Sequence, residues 1–168
     1  NEIGIFVNDS NFLTIAYNSI TNNDEGIFFS SSIRCINNNI ENNDIHNNDK
    51  NGIYMNDTCN YNVISNNTIY NNGHNGIFLQ NHCNQNTISR NSIYSNSRIG
   101  IRIENCSSNT IYSNTQINSN SFYGVLISGS NNTVSENTIS SNSKHGVFLI
   151  ADDETSVRDN TISDNIYD

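Results

Sequence analysis

Proline and tryptophan are absent from this 168-residue chain, methionine occurs once, and Asp, Glu, Lys and Arg together make up only 14% of it. An ordinary soluble domain carries about 25% charged residues. The few basic residues, seven against sixteen acidic ones, leave a formal net charge of −9. This balance argues against nucleic-acid binding, because a binder needs a basic face to displace counterions from phosphates. No apolar run approaches the roughly 18 residues of a membrane-spanning helix, so we expect no membrane insertion.

Asparagine and isoleucine dominate what is present, with 38 and 25 residues respectively. Only 34% of the chain is hydrophobic, and such a polar composition is common in disordered segments. The apolar residues are periodic, however, which indicates a thin core that repeats along the chain. A glycine followed by Ile or Val marks each repeat at intervals of 22 to 26 residues: Gly4, Gly26, Gly52, Gly76, Gly100, Gly124 and Gly146.

Each repeat contains three short apolar segments, G-I-x-Φ followed by two copies of N-x-I, which occupy 53–55, 62–64 and 67–69 in the third repeat. Apolar and polar residues alternate within each segment, which is the period of a β-strand, and no segment reaches helical length. Because the three segments follow in the same order in every repeat, equivalent residues of successive repeats should stack on one another. The sequence therefore predicts an all-β, single-stranded parallel β-helix with seven coils and three short strands per coil. The general bias of parallel crossovers predicts a right-handed solenoid.

Asparagine recurs at fixed positions beside these segments and is expected to form the corners of the coils. It tolerates left-handed backbone conformations and bonds its own neighbouring backbone, and stacked amides hydrogen-bond from coil to coil. We therefore interpret its abundance as structural. The three sets of positions are Asn38, Asn62, Asn86, Asn109 and Asn132, then Asn18, Asn43, Asn67, Asn91 and Asn137, and finally Asn23, Asn48, Asn72, Asn96, Asn120, Asn142 and Asn165.

The skeleton G-I-x-L…S-x-x-N-x-I-x-x-N-x-I-x-x-N resembles the parallel β-helix repeats (PbH1 repeats) of the NosD-like family and its carbohydrate-binding and sugar-hydrolase relatives. The resemblance extends over all seven repeats and implies a right-handed solenoid forming a single domain over residues 1–168. Pectate lyases, alginate epimerases, phage tailspikes, surface-layer proteins and copper-maturation proteins carry similar coils, so the fold alone does not determine an activity. With the low charge, the resemblance implies an extracellular or cell-surface location.

All four cysteines fall at one position of the repeat, five residues before the apolar residue of the second segment: Cys35, Cys59, Cys83 and Cys106. Adjacent coils lie about 4.8 Å apart, within the Cα separation of a disulfide. Two states are compatible with this column, a buried stack of thiols and one or two disulfides between neighbouring coils. A metal centre is not expected, because it requires a tetrahedral cluster rather than a file. The histidines share no column and Met55 takes an inward position, so copper is not predicted, and calcium is the one cofactor left open.

The middle residue of G-I-x-Φ should point away from the core, and it is aromatic in five repeats. This column, the aromatic stripe, reads Phe6, Phe28, Tyr54, Phe78, Arg102, Leu126 and Phe148. Such a stripe is an unfavourable surface for a monomer. The stripe could bind a sugar, because the C–H faces of a sugar pack on aromatic rings while its hydroxyls bond polar groups at the rim. Alternatively, another part of the protein or a neighbouring subunit could cover it. The candidate binding residues of this face are Phe28, Tyr54, Phe78, His74, Arg98, Arg102 and Glu104.

No catalytic residues are assigned from the sequence. Lyases and epimerases of the resembling group need a recognisable base and charge neutraliser, and no such motif, D-P-H-E for example, occurs. Glu136 and Asp159 share a corner of adjacent coils, where a close pair of carboxylates would suit a retaining glycosidase or a calcium ion. Asp152, Asp153 and Glu154 form a second acidic cluster, which we interpret as a solvated corner.

The sequence thus favours an extracellular structural or surface module that presents the aromatic stripe to a glycan or a protein. The alternative is a polysaccharide-active enzyme, a lyase, hydrolase or epimerase, with its site on the same face. Because the first and last residues already lie within repeats and solenoids normally carry caps, we expect a segment of a larger protein or a homopolymer joined through open ends. An ice-binding face is a third interpretation, but Asn39, Val63 and Ser156 interrupt its threonine column.

Overall fold

The computed structural model describes residues 1–151 and 153–167 as a stack of seven coils, each with three short parallel strands. This confirms the predicted all-β parallel solenoid. Within the described residues the structure contains strands, turns and bends but no helix, and hence no helix that could cross a membrane. The strands form three seven-stranded sheets, and in each sheet the strand order follows the order of the coils.

The strands of the first sheet come from the G-I-x-Φ segments, and those of the second and third sheets from the two N-x-I segments. The first sheet contains Ile3–Asn8, Glu25–Ser30, Ile53–Asn56, Ile77–Gln80, Ile101–Glu104, Val125–Ser128 and Val147–Leu149. The second contains Thr14–Ala16, Asn39–Glu41, Val63–Ser65, Thr87–Ser89, Thr110–Tyr112, Thr133–Ser135 and Ser156–Arg158. The third contains Ser19–Thr21, Asp44–His46, Thr68–Tyr70, Ser92–Tyr94, Gln116–Asn118, Thr138–Ser140 and Thr161–Ser163. A two-stranded sheet pairs Cys35–Ile36 with Cys59–Asn60.

The core is a set of aliphatic columns running along the solenoid axis. In the second sheet Ile40, Ile64 and Ile88 pair in register and are fully buried. Met55 lies inward and fully buried in the first sheet, as the sequence predicted. The repeated glycine allows the corner before the first sheet to close tightly, because a Cβ at Gly76 would lie 2.5 Å from the Cγ2 atom of Ile93.

Three ladders of buried asparagines join the coils, as the sequence predicted. Along the ladders the backbone N–H and Nδ2 of one Asn donate to the Oδ1 atom of the Asn in the next coil, and at the end of the first ladder the backbone N–H of Asn132 donates to Oγ1 of Thr155. Asn67, for example, donates to Asn91 over 2.9 and 3.1 Å and accepts from Asn43 over 2.9 and 3.0 Å. Asn114, which stands three residues before its strand isoleucine instead of two, still occupies the ladder between Asn91 and Asn137. The ladders therefore stay continuous where coil length varies.

Candidate functional site

The outer face of the first sheet carries the aromatic stripe as a continuous column. Phe28 pairs in register with Tyr54, Tyr54 with Phe78, and Phe78 with Arg102. The alternation of the strands places the core residues Ile53 and Met55 on the opposite side of the sheet. Four candidate residues from the sequence, Phe28, Tyr54, Phe78 and Arg102, are therefore brought together on one face.

The rings of the stripe stack on one another along the solenoid axis. The centroids of Phe28 and Tyr54 lie 4.9 Å apart with an interplanar angle of 8°, and those of Tyr54 and Phe78 lie 5.1 Å apart at 10°. Phe78 is only 9% exposed, whereas Phe6 at the first coil is 54% exposed. This differs from the open aromatic surface expected from the sequence, because one ring per coil brings neighbouring rings within stacking distance. The stripe presents ring edges outward, and its faces are largely covered by its own members.

Arg102 continues the stack beyond Phe78 as a cation. Its guanidinium carbon lies 4.7 Å from the Phe78 ring centroid, a cation–π contact. Its Nη2 atom donates to Oε2 of Glu104 over 2.8 Å, and its Nε atom is buried without a hydrogen-bond partner. Both side chains are about 30% exposed. The aromatic stack therefore ends after Phe78 in a polar pair, Arg102 and Glu104, that faces solvent.

A column of cationic side chains borders the stripe at the edge before each glycine. His74 donates its backbone N–H to the carbonyl of Lys50, and Arg98 donates to the carbonyl of His74, so the three residues occupy consecutive coils. Lys50 and Arg98 are exposed and His74 is half-buried. Partial burial, together with the charges of Arg98 and Lys50, lowers the pKa of His74. We name this set the cationic column. The sequence placed its members on one edge, and the structure brings them together.

Arg98 and Arg102 also line one hollow of about 420 Å³ with Ile99 and Phe122. Two guanidinium groups and an aromatic side chain at one opening can bind a carboxylate while covering an apolar surface. Six of the seven candidate residues thus fall into two adjoining groups, the ring stack and the cation-lined margin, and Glu104 lies at the opposite margin in register with Gln80.

A second hollow of about 400 Å³ lies at the other end of the face and was not identified from the sequence. It is lined by Glu2, Ile3, Asp24, Glu25, Phe28, Lys50 and Tyr54, and Nζ of Lys50 pairs with Oδ2 of Asp24 over 3.2 Å. Burial raises the pKa of Glu25, although its carboxylate accepts hydrogen bonds from the backbone N–H and Nδ2 of Asn51. Burial, followed by the nearby Glu25 charge, raises the pKa of Tyr54 to about 12. The sequence signal that could have indicated this hollow is the charge of Glu25, because the next coils carry uncharged, buried residues at the same position of the repeat.

The four cysteines form the predicted column and are buried free thiols. Cys83 and Cys106 donate from Sγ to the backbone carbonyls of Gln80 and Glu104, each over 3.1 Å. A hydrogen bond with the Cys83 thiol, reinforced by burial, raises the pKa of Cys106 well above its ordinary range. Of the two states left open by the sequence, the structure contains the thiol stack. Protonated, buried thiols are poor nucleophiles and poor metal ligands.

Glu136 and Asp159 lie at the same corner of adjacent coils, but each is engaged elsewhere. Glu136 accepts from the Ser113 hydroxyl over 3.1 Å, and Asp159 pairs with Arg158 over 3.1 Å. Calcium usually takes about six to eight oxygen ligands. In residues 1–151 and 153–167 no group of three or more His, Cys, Asp or Glu side chains is arranged to hold a metal. Asp152 of the predicted acidic cluster lies outside the described residues.

Comparison with known families agrees with this architecture. Residues 80–167 match the family model described as right handed beta helix region. Residues 1–122 match the model described as periplasmic copper-binding protein (NosD). The chain therefore belongs to the NosD family of right-handed parallel β-helix proteins, as its repeat pattern predicted. No curated protein sequence matches it.

Several solved structures share the fold. The periplasmic alginate epimerase AlgG superposes with a TM-score of 0.85 at 22% identity, over 96% of this chain and 42% of that protein. The A-module of the Azotobacter vinelandii mannuronan C-5 epimerase AlgE4 gives a TM-score of 0.74 at 20% identity, over 88% of this chain and 41% of that one. At these identities the likeness establishes the fold. The chain spans about two fifths of the length of these enzymes.

The side chains of this protein do not fit the copper site that the family description implies. The soft ligands are Met55, which is fully buried, and the cysteine column, whose thiols donate to backbone carbonyls. The imidazoles are dispersed: His46 lies on the third sheet and His74 on the cationic column. A copper centre needs several such donors converging on one point. No copper chemistry is therefore derived for this chain.

Proposed function

We propose that this chain is a non-catalytic module of the cell envelope or cell surface that binds an acidic glycan along the outer face of its first sheet. The cationic column carries the proposal. Lys50, His74 and Arg98 stand in consecutive coils beside the stripe, and Arg102 adds a fourth basic group. Such clustering is notable in a chain of net charge −9 with seven Lys and Arg residues.

The spacing of the column supports a polymeric ligand. Adjacent coils are separated by about 4.8 Å, close to the advance of one sugar residue in an extended chain. A polysaccharide with a carboxylate on each sugar could therefore pair with Lys50 and Arg98, which lie two coils apart, and with His74 between them once its imidazole is protonated. The Gln80 amide, half-buried at the other margin of the stripe, accepts from the Tyr54 hydroxyl through Oε1 and can donate to a sugar hydroxyl from Nε2. Ring edges of the stack would contact the sugar, because the ring faces are already covered.

The names of the family and of its structural neighbours also support this proposal. The matching family is described as periplasmic, and the neighbours are epimerases of alginate and mannuronan. Coverage of the stripe by a neighbouring subunit is less favoured, because mutual stacking already buries most of the Phe78 surface.

A charge-matched pair of variants tests the glycan proposal. We expect affinity electrophoresis in polygalacturonate or polymannuronate to retard the wild-type protein, and uncharged dextran to leave it unaffected. The double variant Arg98→Gln plus Arg102→Gln should lose at least tenfold in affinity. The control, Arg34→Gln plus Arg90→Gln, removes the same charge from exposed sites away from the first sheet and should bind nearly as wild type. Equal losses in both variants would indicate non-specific attraction, and no retardation would overturn the proposal.

His74 gives the binding a pH dependence of defined sign. Its pKa lies below the ordinary value of 6.5, so the group is mostly neutral at pH 7. An anionic ligand favours the protonated form, and binding should tighten as the pH falls through the pKa of His74. Titration of binding against pH should show this increase in wild type and not in His74→Gln. A pH-independent wild type would exclude His74 from the contact.

A polysaccharide-active enzyme is the second candidate, and the Glu25 hollow favours it. A half-buried carboxyl with a raised pKa beside a tyrosine and a lysine is a suitable arrangement for proton transfer. New reducing ends or unsaturated products from a polyuronate, lost in Glu25→Gln, would support this candidate. Retained binding without any product would support the non-catalytic module.

A further inference from the structure

A polar hollow lies on the third sheet, away from the face described above. It has a volume of about 540 Å³ and is lined by Asn42, Asn43, Asp44, Asn66, Thr68, Tyr70 and Tyr94. These residues come from the second, third and fourth coils, in which Asp44, Thr68 and Ser92 pair in register. The hollow therefore extends along the solenoid axis.

Tyr70 and Tyr94, two rings of an aromatic ladder that begins at His46, form one wall of this hollow. The ring centroids of His46 and Tyr70 lie 4.7 Å apart at an interplanar angle of 15°, and those of Tyr70 and Tyr94 lie 5.0 Å apart at 5°. Stacking directs ring edges and hydroxyl groups outward. At the first-coil end of the ladder, Nδ1 of His46 and Oγ1 of Thr21 occupy paired positions and are both buried without a hydrogen-bond partner. Neither residue lines the hollow, so the ligand contacts of this wall come from Tyr70 and Tyr94.

Side-chain amides form the opposite wall. Asn42 and Asn66 take left-handed corner conformations, with φ of 55° at both. The buried amides of the next residues, Asn43 and Asn67, are saturated by ladder hydrogen bonds. The side chain of Asn66 is exposed and that of Asn42 is half-exposed. Paired donors and acceptors therefore repeat from coil to coil beside the hydroxyl of Thr68.

The charge of the hollow selects against an acidic ligand. Asp44 is the acidic side chain among the seven lining residues, and its Oδ2 atom lies 3.9 Å from Nε2 of His46. A polyanion would meet this carboxylate without an arginine or lysine in the lining. Amides, hydroxyls and a carboxylate acceptor instead match the many hydroxyls of an uncharged sugar.

We propose that this hollow binds a stretch of neutral polysaccharide lying along the solenoid axis, at a site separate from the first sheet. The protein would then carry two glycan surfaces of different charge preference on two sheets of one rigid solenoid. The proposal does not rest on the acidic-glycan function, because no residue is shared between the two sites.

Amide chemical shifts measured by NMR during titration with cellohexaose, chitohexaose and a hexauronate test this proposal. A neutral hexasaccharide should shift the amides of Asn66, Thr68 and Tyr94, and the hexauronate should not. The variant Asn66→Gly plus Thr68→Val removes two polar groups while preserving the left-handed corner and the β-branched strand residue. It should weaken binding at least tenfold.

The matched control is Asn71→Gly plus Thr138→Val, which makes the same substitutions at a left-handed corner and an exposed strand position outside the hollow. It should bind as wild type, and unchanged spectra elsewhere would show that both variants are folded. Three results would overturn the proposal: no shift with either neutral hexasaccharide, shifts located away from the hollow, or equal binding by the two double variants. Loss of hexauronate binding in the first-sheet variants would leave this result unaffected.

Discussion

At the residue scale, the repeated Asn-Asn pairs have two different functions. The first residue of each pair takes a positive φ at a corner, as at Asn66 with 55° and Asn71 with 53°. The second, Asn67 or Asn72, is buried in an amide ladder. Other residue types replace the first asparagine, including Arg90 with φ of 56°, because an exposed corner needs only a tolerated conformation. The ladder position needs a donor and an acceptor at one fixed geometry.

Asn67→Ala should be strongly destabilising. The substitution leaves the backbone N–H of Asn43 without its acceptor and the carbonyls of Ile40 and Ser65 without their Nδ2 donor. With about 1–3 kcal/mol for each buried polar group left unpaired, we expect a loss of roughly 3–5 kcal/mol in the free energy of unfolding, measured by urea denaturation. Asn118→Ala, at an outward strand position, is the control and should change stability by less than about 0.5 kcal/mol. Similar losses in both variants would contradict the ladder argument.

Asp9 confers a pH dependence on the loop at residues 31–34. The backbone N–H of Ile33 donates to its carboxylate over 2.8 Å and that of Ser32 over 2.9 Å. These bonds, with the Ile33 bond first, lower the pKa of Asp9 below its ordinary value of 3.8. Their stabilising effect is complete above the ordinary pKa and is lost as the pH falls through the lowered one.

Acid titration followed by NMR should therefore move the Ser32 and Ile33 amide resonances with a midpoint below 3.8. In Asp9→Asn these resonances should not titrate there. Trypsin should also cleave after the exposed Arg34 faster in this variant than in wild type. A midpoint at or above the ordinary value would contradict the observed hydrogen bonds.

At the scale of the elements, the sequence period was sufficient to predict the strands, their order and the columns they form. Alternation placed Met55 inward and Tyr54 outward, and the structure confirms both positions. It could not predict that the outward rings lie face to face, because ring orientation depends on χ angles that no spacing records. The Glu25 hollow was missed for a similar reason. Its carboxyl is half-buried only because the side chains of neighbouring coils close over it.

The ring stack predicts different consequences for two substitutions of the same kind. Phe78→Ala removes a ring that is 9% exposed and lies between Tyr54 and Arg102, whereas Phe6→Ala removes a ring that is 54% exposed. Removal of a buried phenylalanine costs about 3–5 kcal/mol. We expect a loss near 3 kcal/mol for the first variant and below about 1 kcal/mol for the second, measured by thermal or urea unfolding. Equal losses would mean that stacking does not stabilise the face.

At the scale of the whole molecule, each coil contacts chiefly its neighbours, so stability should vary along the axis. The central core residues Ile64, Ile88 and Ile111 are fully buried, whereas Val157 and Ile162 of the seventh coil are each 40% exposed. Native-state hydrogen exchange of this 168-residue chain should show the slowest exchange in coils three to five and faster exchange in coil seven. Uniform protection along the chain would instead indicate a single all-or-none unit.

The amide ladders also give the solenoid an electrical polarity. In Asn43, Asn62 and Asn72 alike, Oδ1 accepts from the preceding coil, while Nδ2 donates both to the Asn of the following coil and to a backbone carbonyl of the preceding one. Backbone groups of a parallel sheet alternate in direction and largely cancel, and Asn75 donates back to Asn51, but the carbonyl dipoles of the three ladders all point toward the first coil. Three parallel files of aligned amides add up as the peptide dipoles of a helix do. The end near the seventh coil is therefore relatively positive and the end near the first coil relatively negative, so the rod has an inherent direction in an electric field.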